Sequence, residues 1–412
     1  IYLERLFYII MRDILHCDLN NFFASVECVM HPEFEGRPLV VAGNPEERKG
    51  VVLAKNYLAK QKGIVTGMTL VDAMTRCPDL VVTQVHFDLY NYYSERVREI
   101  YLRYTNLVEP FSIDECWLDV TGSKEMFGSP VNIADRIRRE VREELGLTIS
   151  VGVSFSKTLA KLGSDMKKPD ATTELTKDNF KKKIYPLPIS DVVGIGRRTC
   201  AKLNKMGIFT LGDLAQFDDR FLRKNFGKVG VDLFDVVNGW ETTPVLDYDK
   251  FPPPKSVGNS TTFYKDISAD DEIMLGFSVL AESVAKRMSA QNIEAGRLLH
   301  VTVKDSNLHF WGKTIRLSEP TRDSAKMAKL AMQVYKNDYT GLSSIRLLGI
   351  SMSDFERSGH QLAMTDMLTR TSVDDTIEHL RTKYGTGVIV KGNNYLDNGL
   401  AQAMYKDSPK KK

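Results

Sequence analysis

Three carboxylates stand where a chain could aim them at one point. Asp18 closes the short apolar run Ile14-Leu15-His16-Cys17, and Asp114-Glu115 lies between the runs Leu107 to Phe111 and Cys116 to Val120. Neighbouring strand residues face opposite sides of a sheet, so Asp114 and Glu115 converge on one ion only where the strand turns, and Ser112-Ile113-Asp114-Glu115 supplies that turn. Oxygen-only ligands suit Mg2+, and two ions about 3.5–4 Å apart clamp the attacking and leaving oxygens of a phosphoryl transfer. Acids in an exposed turn are the other reading of the same residues. Five cysteines (Cys17, Cys28, Cys77, Cys116, Cys200) form no C-x-x-C pair, and the seven histidines form no H-x-x-x-H pair. Zinc is therefore not expected, and the thiols are expected to be reduced, as in a cytosolic protein.

A second set of residues could hold a polyanion. Val192-Val193-Gly194-Ile195-Gly196-Arg197-Arg198 runs into a segment with Ala201, Leu203 and Met206 at helical spacing, then Gly207-Ile208. That is a helix-hairpin-helix pattern, in which glycines let backbone amides approach a phosphate and basic residues add charge. A tight turn between packed helices is the alternative. Gly227-Lys228-Val229-Gly230 is a weaker copy. The net charge of +3 conceals an asymmetry: 20 Lys/Arg face 24 Asp/Glu between Met11 and Glu174, whereas 12 face 8 between Lys177 and Thr243. Lys255 to Arg357 and Ser358 to Lys412 each carry +2. An acidic first part followed by basic ones suits a carboxylate site joined to polyanion-binding modules, although mixed solvated faces give the same arithmetic.

The elements that must position these residues follow from pattern. At 412 residues, 42% apolar and 26% charged, the chain is a soluble globular protein with several cores. The longest membrane-span candidate, Ile1 to Met11, is broken by Glu4 and Arg5, and no signal-peptide cleavage pattern is present. Residues 1–10 read as an extension ahead of Met11. Strand, inserted subdomain, two strands, a helix with Ile133, Ile137, Val141 and Leu145 on one face, then a strand at Thr148 to Val153 predict a ferredoxin-like sheet. Short glycine-punctuated helices fill Ile189 to Trp240, and Phe251-Pro252-Pro253-Pro254 reads as a stiff boundary. Beyond it the pattern predicts a second ferredoxin-like unit. Its strands are expected at Lys255 to Phe263, Arg297 to Lys304, Leu308 to Leu317 and Ser344 to Phe355. Its helices are expected at Ser268 to Ala290, capped by Ser268, and Thr321 to Tyr339, and the polar tail beyond carries a short helix at Val373 to Tyr384.

Taken together, the residues resemble the Y-family translesion DNA polymerases, closest to the bacterial DNA polymerase IV branch. The resemblance runs from Met11 to Gly392. It is carried by Asp18-Leu19-Asn20-Asn21-Phe22-Phe23-Ala24-Ser25-Val26-Glu27, Asn56-Tyr57-Leu58-Ala59-Lys60, Ser112-Ile113-Asp114-Glu115, and Gly152-Val153-Ser154 with Lys157, Ala160-Lys161 and Lys168-Pro169. It implies an α+β multidomain protein. The implied parts are a ferredoxin-like palm (11–21 and 88–176), inserted fingers (22–87), a helical thumb with the helix-hairpin-helix (177–243), a linker (244–254), a ferredoxin-like little finger (255–357) and a tail (358–412). By position, Asp18, Asp114, Glu115 and the carbonyl of Leu19 match ligands of two Mg2+ ions, with Mn2+ as a substitute. Phe22, Phe23, Tyr57, Lys60 and Lys161 match nucleotide contacts, Phe23 being the aromatic gate under the sugar. Gly194, Gly196, Arg197, Arg198, Lys202, Lys255, Ser256 and Arg346 match DNA contacts. In the tail, Gln361, Leu362 and Met364 resemble a sliding-clamp docking segment.

The chain departs from the family pattern at several points. Ala54 and Lys60 stand where a hydroxyl residue and an arginine usually meet the triphosphate, which removes one hydrogen bond and a bidentate fork. Cys116 and Trp117 replace Ala and Tyr or Phe, and Val193 replaces Pro. None of these removes a metal ligand. The implied protein is a cytoplasmic, monomeric, template-directed DNA polymerase of low fidelity without proofreading, taking primer-template DNA and deoxynucleoside triphosphates. A non-catalytic DNA-binding or recruitment protein of the same fold is the alternative, which missing acids would have favoured.

Overall fold

The computed structural model describes residues 12–44 and 50–356, together with Leu380 and Lys383. The extension expected over residues 1–10, the docking segment with Gln361, Leu362 and Met364, and the tail helix apart from Leu380 and Lys383 lie outside the described residues. The chain forms two compact units, divided between Phe251 and Pro252, where the proline run begins.

In the first unit, β1 (Ile14–Leu19) is buried along its whole length. α1 (Phe22–Met30) begins after Asn21, whose φ of 49° turns the chain sharply out of the strand. β2 (Leu39–Ala42), β3 (Val52–Lys55) and β4 (Val81–Thr83) form a separate sheet in the order β3–β2–β4, with α2 (Tyr57–Gln61) and α3 (Leu70–Arg76) between β3 and β4 in sequence. α4 (Phe87–Leu102) leads to β5 (Val108–Pro110) and β6 (Glu115–Asp119). α5 (Lys124–Phe127) and α6 (Pro130–Leu145) precede β7 (Ile149–Ser154), and α7 (Lys157–Met166) precedes β8 (Thr172–Leu175). The resulting sheet has the order β5–β6–β1–β7–β8, with β1 antiparallel to β6 and β7. This is the ferredoxin-like order, extended by β8 pairing parallel to β7.

Strand alternation sorts the two faces of that sheet. Leu15, Cys17, Cys116, Leu118, Val151 and Val153 point to one core, which α4 closes with Val97, Ile100 and Tyr101 and α6 with Ile133, Ile137 and Val141. Each such aliphatic side chain gains about 1.5–3 kcal/mol from burial. His16 and Asp18, two residues apart on β1, belong to the other face, and so do their β6 partners Trp117 and Glu115. α7 covers this face, started by Ser156, whose hydroxyl accepts from the Leu159 amide at 3.3 Å. Gly152 makes the approach possible, because a Cβ there would run into the Ala160 carbonyl and the Ser164 amide.

Four helices complete the first unit: α8 (Phe180–Ile184), α9 (Arg197–Lys205), α10 (Leu211–Leu214) and α11 (Asp219–Asn238). Gly194 has φ +89°, which favours glycine, and Gly196 is the N-cap of α9 without a side-chain bond to its amides. α11 breaks at Gly227, φ 59° and ψ −137°, and resumes with Gly230 pressed on the Leu222 carbonyl. The weaker glycine pair thus marks a kink within α11.

The second unit contains β9 (Ser256–Ile267), α12 (Asp270–Ala290), β10 (Ala295–Asp305), β11 (Phe310–Thr321), α13 (Ser324–Asp338) and β12 (Ile345–Glu356). The element order is that of the expected ferredoxin-like unit, but the sheet, wholly antiparallel, has the order β11–β10–β12–β9, so the last strand, not the first, takes a central place. Phe277, Leu280, Val284 and Met288 of α12 and Met327 and Ala331 of α13 pack against Leu299, Val301 and Val303 of β10 and Leu348, Ile350 and Met352 of β12. Ser268 does not cap α12. The helix starts one residue later than that cap would require, at Ala269 as N-cap with no side-chain bond, and Asp270, Asp271 and Glu272 favour its N-terminus by charge instead. Among the described residues no helix is long and apolar enough to cross a membrane.

Candidate active site

The register of β1 and β6 sets Asp18 directly opposite Glu115, which puts both carboxylates on the face covered by α7. Lys161, on the second turn of α7, reaches between them. Its Nζ lies 2.6 Å from Glu115 Oε1 and 3.3 Å from Asp18 Oδ2, with Asp165 Oδ2 also at 3.3 Å. Lys168 Nζ adds a second ammonium, 2.8 Å from Asp18 Oδ2 and 2.9 Å from Asp165 Oδ1. Asp18 is 5% exposed, so this charge is concentrated where water screens it little. Burial, with Asp18 beside it, raises the Glu115 carboxyl to about 7 against the opposing pull of Lys161. Burial works to lower the Lys161 ammonium, but the Glu115 hydrogen bond and the surrounding carboxylates outweigh it and raise its pKa.

Asp114 is not gathered into this pair. It sits in the bend before β6, where its carboxylate accepts from Ser112 Oγ at 2.6 Å and its carbonyl accepts from the Leu19 amide at 3.0 Å. Among the described residues no three His, Cys, Asp or Glu side chains are grouped as a metal site; Asp18 and Glu115 are the two acids that share the Lys161 ammonium. The pair still fits a hard divalent cation. It offers only oxygen donors, and two ammonium groups supply the positive charge that the buried carboxylates demand.

Aromatic residues form a wall on α1 and α4. Phe23 stacks on Tyr90 with ring centroids 4.2 Å apart and planes 11° apart, and Phe87 meets it edge-on at 6.0 Å. Phe22 is 3% exposed and lies in the core, because one residue along a helix turns a side chain by about 100°. Tyr57 at the start of α2 is half-buried; burial raises its hydroxyl pKa, with the charges of Lys168 and Asp18 acting on it as well. Lys60 is exposed, its Nζ 5.9 Å from the Tyr57 ring centre, while Ala54 is half-buried on β3. Gly194, Gly196, Arg197 and Arg198 stand at the start of α9, whereas Lys202 is in its last turn and lies over the Phe226 ring at 4.6 Å. In the second unit, Lys255 precedes β9, Ser256 pairs with Ser353, and Arg346 lies seven residues from Ser353 on β12. Ser256 and Arg346 therefore stand roughly 20 Å or more apart along the ladder.

His16 is a site residue that sequence reasoning missed. Its ring is buried, with Nε2 3.9 Å from Glu115 Oε2 and otherwise unpartnered. Nδ1 contacts Ser164 Oγ at 2.8 Å, and because that hydroxyl donates to the Lys161 carbonyl, Nδ1 carries the proton. Burial, then Lys161 and Lys168, hold its pKa well below the usual histidine value, so the ring is neutral. The period-two spacing from Asp18 was the signal that could have found it. Asn20 was also passed over: it donates to Ser150 Oγ at 2.9 Å and accepts from the Asp170 amide at 2.8 Å, tying the end of β1 to the loop that carries Lys168.

Comparison with known proteins gives the family of the chain. Residues 17–165 match the impB/mucB/samB family, 177–208 the IMS family HHH motif, and 254–364 the impB/mucB/samB family C-terminal domain. The chain belongs to the impB/mucB/samB family. Within that family it is 40% identical over 395 residues to DNA polymerase IV of Acetivibrio thermocellus, covering 94% of this chain and 99% of that one. It is 38% identical to DNA polymerase IV of Moorella thermoacetica (91% and 94% covered) and 34% identical to DNA polymerase IV 1 of Bacillus subtilis (92% of each). A solved Y-family DNA polymerase chimera shares the fold with a TM-score of 0.73 at 24% identity, over 83% of this chain and 99% of that one. The resemblance carried by the motifs thus extends along the chain, and the family is one of DNA-directed DNA polymerases.

Proposed function

We propose that the protein is a template-directed DNA polymerase that extends primers across damaged templates by two-metal nucleotidyl transfer, with low fidelity and no proofreading. The observation that supports it most is the pairing of Asp18 with Glu115 on one sheet face, spanned by the Lys161 ammonium. Asp18 and Glu115, with Asp114 and the Leu19 carbonyl beside them, are the residues that would hold Mg2+, or Mn2+ in its place. When bound, the ions supply Lewis acidity toward the primer 3′-hydroxyl and the triphosphate.

The chain's own residues do the rest. Lys161 and Lys168 balance the carboxylates when no ligand is present and are placed to turn toward phosphate oxygens. Tyr57 and Lys60 extend that grip from α2, and the Phe23 ring closes the space under the sugar. Neutral His16 packs beneath Glu115 and excludes water there. Exposed Arg197, Arg198 and Lys202, with the uncapped amides after Gly196, suit the phosphate backbone of primer-template DNA, as do Lys255, Ser256 and Arg346 in the second unit. In this reading, residues 11–21 and 88–176 are the palm, 22–87 the fingers, 177–243 the thumb, 244–254 the linker, 255–357 the little finger and 358–412 a tail that docks on a sliding clamp. The protein acts as a cytoplasmic monomer. Extension of a primer past a set of defined template lesions tests the proposal; binding of primer-template without any nucleotide addition would leave only the non-catalytic alternative.

A further inference from the structure

Two pairs of residues, each four apart, face one another across α1 and α4. Phe23 and Glu27 lie one helical turn apart on α1, and His86 and Tyr90 lie one turn apart at the start of α4. The Tyr90 ring stacks on Phe23 at 4.2 Å, and its hydroxyl donates to Glu27 Oε1 at 2.5 Å. His86 Nδ1 donates to the same oxygen at 2.8 Å, and Thr83 Oγ1 stands 3.4 Å from Oε2. Glu27 is completely buried, and a carboxylate in that position is costly unless its acceptors are filled. Filling them fixes Tyr90 at its far end. His86 is the N-cap residue of α4 yet makes no capping bond, because its ring is turned to Glu27.

We infer that Glu27, held by His86, is a positioning residue that sets the Phe23 ring through Tyr90 and thereby sets how strictly the site excludes a ribose 2′-hydroxyl. The inference rests on the reading of Phe23 as the sugar gate and adds the device that holds the gate still. A phenylalanine ring has no polar atom with which to fix itself, and one stacked face leaves it free to slide. Tyr90 covers that face and is tethered at its para position to a buried charge, so displacement of Phe23 requires displacement of Tyr90 from Glu27. Phe87, edge-on to Phe23, limits movement in another direction.

The test compares kcat/KM for a deoxyribonucleotide and the matching ribonucleotide in the full chain and in Tyr90→Phe, Glu27→Gln and Phe23→Ala, with thermal unfolding recorded for each. Tyr90→Phe keeps the ring, its volume and the stack, and removes only the tether, so it carries the test even if Glu27→Gln fails to fold. Tyr90→Phe is expected to lower sugar discrimination by about tenfold, the scale of a lost hydrogen bond to a charged group, while deoxyribonucleotide efficiency stays within about threefold. A merely structural role would depress both nucleotides together and leave the ratio unchanged. If Phe23→Ala gains ribonucleotide use and Tyr90→Phe and Glu27→Gln do not, the positioning role is overturned and the gate stands. If Phe23→Ala gains nothing, the gate reading falls and this inference with it.

Discussion

The Lys161 ammonium lies 2.6 Å from Glu115 Oε1 and 3.3 Å from Asp18 Oδ2, so one side chain of α7 spans two strands of the sheet beneath it. Removing either acid should abolish primer extension, because a lone buried carboxylate cannot hold the charge that the pair holds. Asp18→Ala and Glu115→Ala are expected to lose extension by several orders of magnitude and to keep primer-template affinity within a few fold, read by fluorescence anisotropy. Extension at the parental rate in either variant would sink the site assignment.

Gly152→Ala is expected to destabilise the first unit without touching any reacting group. The new methyl would collide with the Ala160 carbonyl and the Ser164 amide, both backbone atoms of α7. Overpacking of this kind costs about 1–3 kcal/mol, and more where backbone must move. A lowered Tm for the first unit, together with weakened binding of nucleotide through a displaced Lys161, is the outcome to look for; an unchanged Tm would mean that α7 shifts freely.

Lys60→Arg should tighten nucleotide binding. A guanidinium offers a planar fork to phosphate oxygens that an ammonium lacks, and a charge-assisted hydrogen bond is worth about 1.5–3 kcal/mol. Because Lys60 is exposed, solvent screening leaves only part of that, and a several-fold fall in the apparent nucleotide KM is the expected result. Steady-state kinetics on an undamaged template decide it, an equal or higher KM counting against the role of Lys60.

At the start of α9 the prediction concerns salt. If Arg197 and Arg198 each neutralise one phosphate, each alanine variant should reduce the slope of log affinity against log salt by about 1 and weaken binding to all sequences alike. Salt titrations of a fluorescent primer-template measure this directly, and an unaltered slope would assign α9 to packing alone.

Much of this architecture was readable from the chain because it depends on local pattern. Asp18 and Glu115 end and begin strands whose apolar runs are plain, and the helical stripe of α6 announces itself through Ile133, Ile137 and Val141. What stayed hidden depended on pairing across the sequence. The Tyr90 contact with Glu27 joins residues 63 apart, and no spacing rule reaches that far. Phe22 and Phe23 are identical by type, and only the packing of α1 decides which enters the core. Ser268 looked like a cap by composition, but the chain entered α12 one residue later, where acidic side chains replaced the missing bond. Asp114 shows the opposite limit: its neighbour Ser112 lay in plain view, yet the hydrogen bond between them is no part of the pattern that singles out the acids.

The strand order of the second unit bears on how the protein is made. β9 pairs only with β12, the last strand of its sheet, whereas in the first unit the earliest strand, β1, is already central. During synthesis the first sheet can therefore assemble outward around a strand that emerged at the beginning, while β9 must wait for nearly 80 further residues before its partner leaves the ribosome. Until Ile345 to Glu356 appears, the apolar faces of α12 and the β10–β11 hairpin have no completed sheet to cover them. A chain stalled before that point would carry a folded first unit and an open second one, and nascent chains halted on either side of residue 345 should differ sharply in protease resistance within the second unit alone.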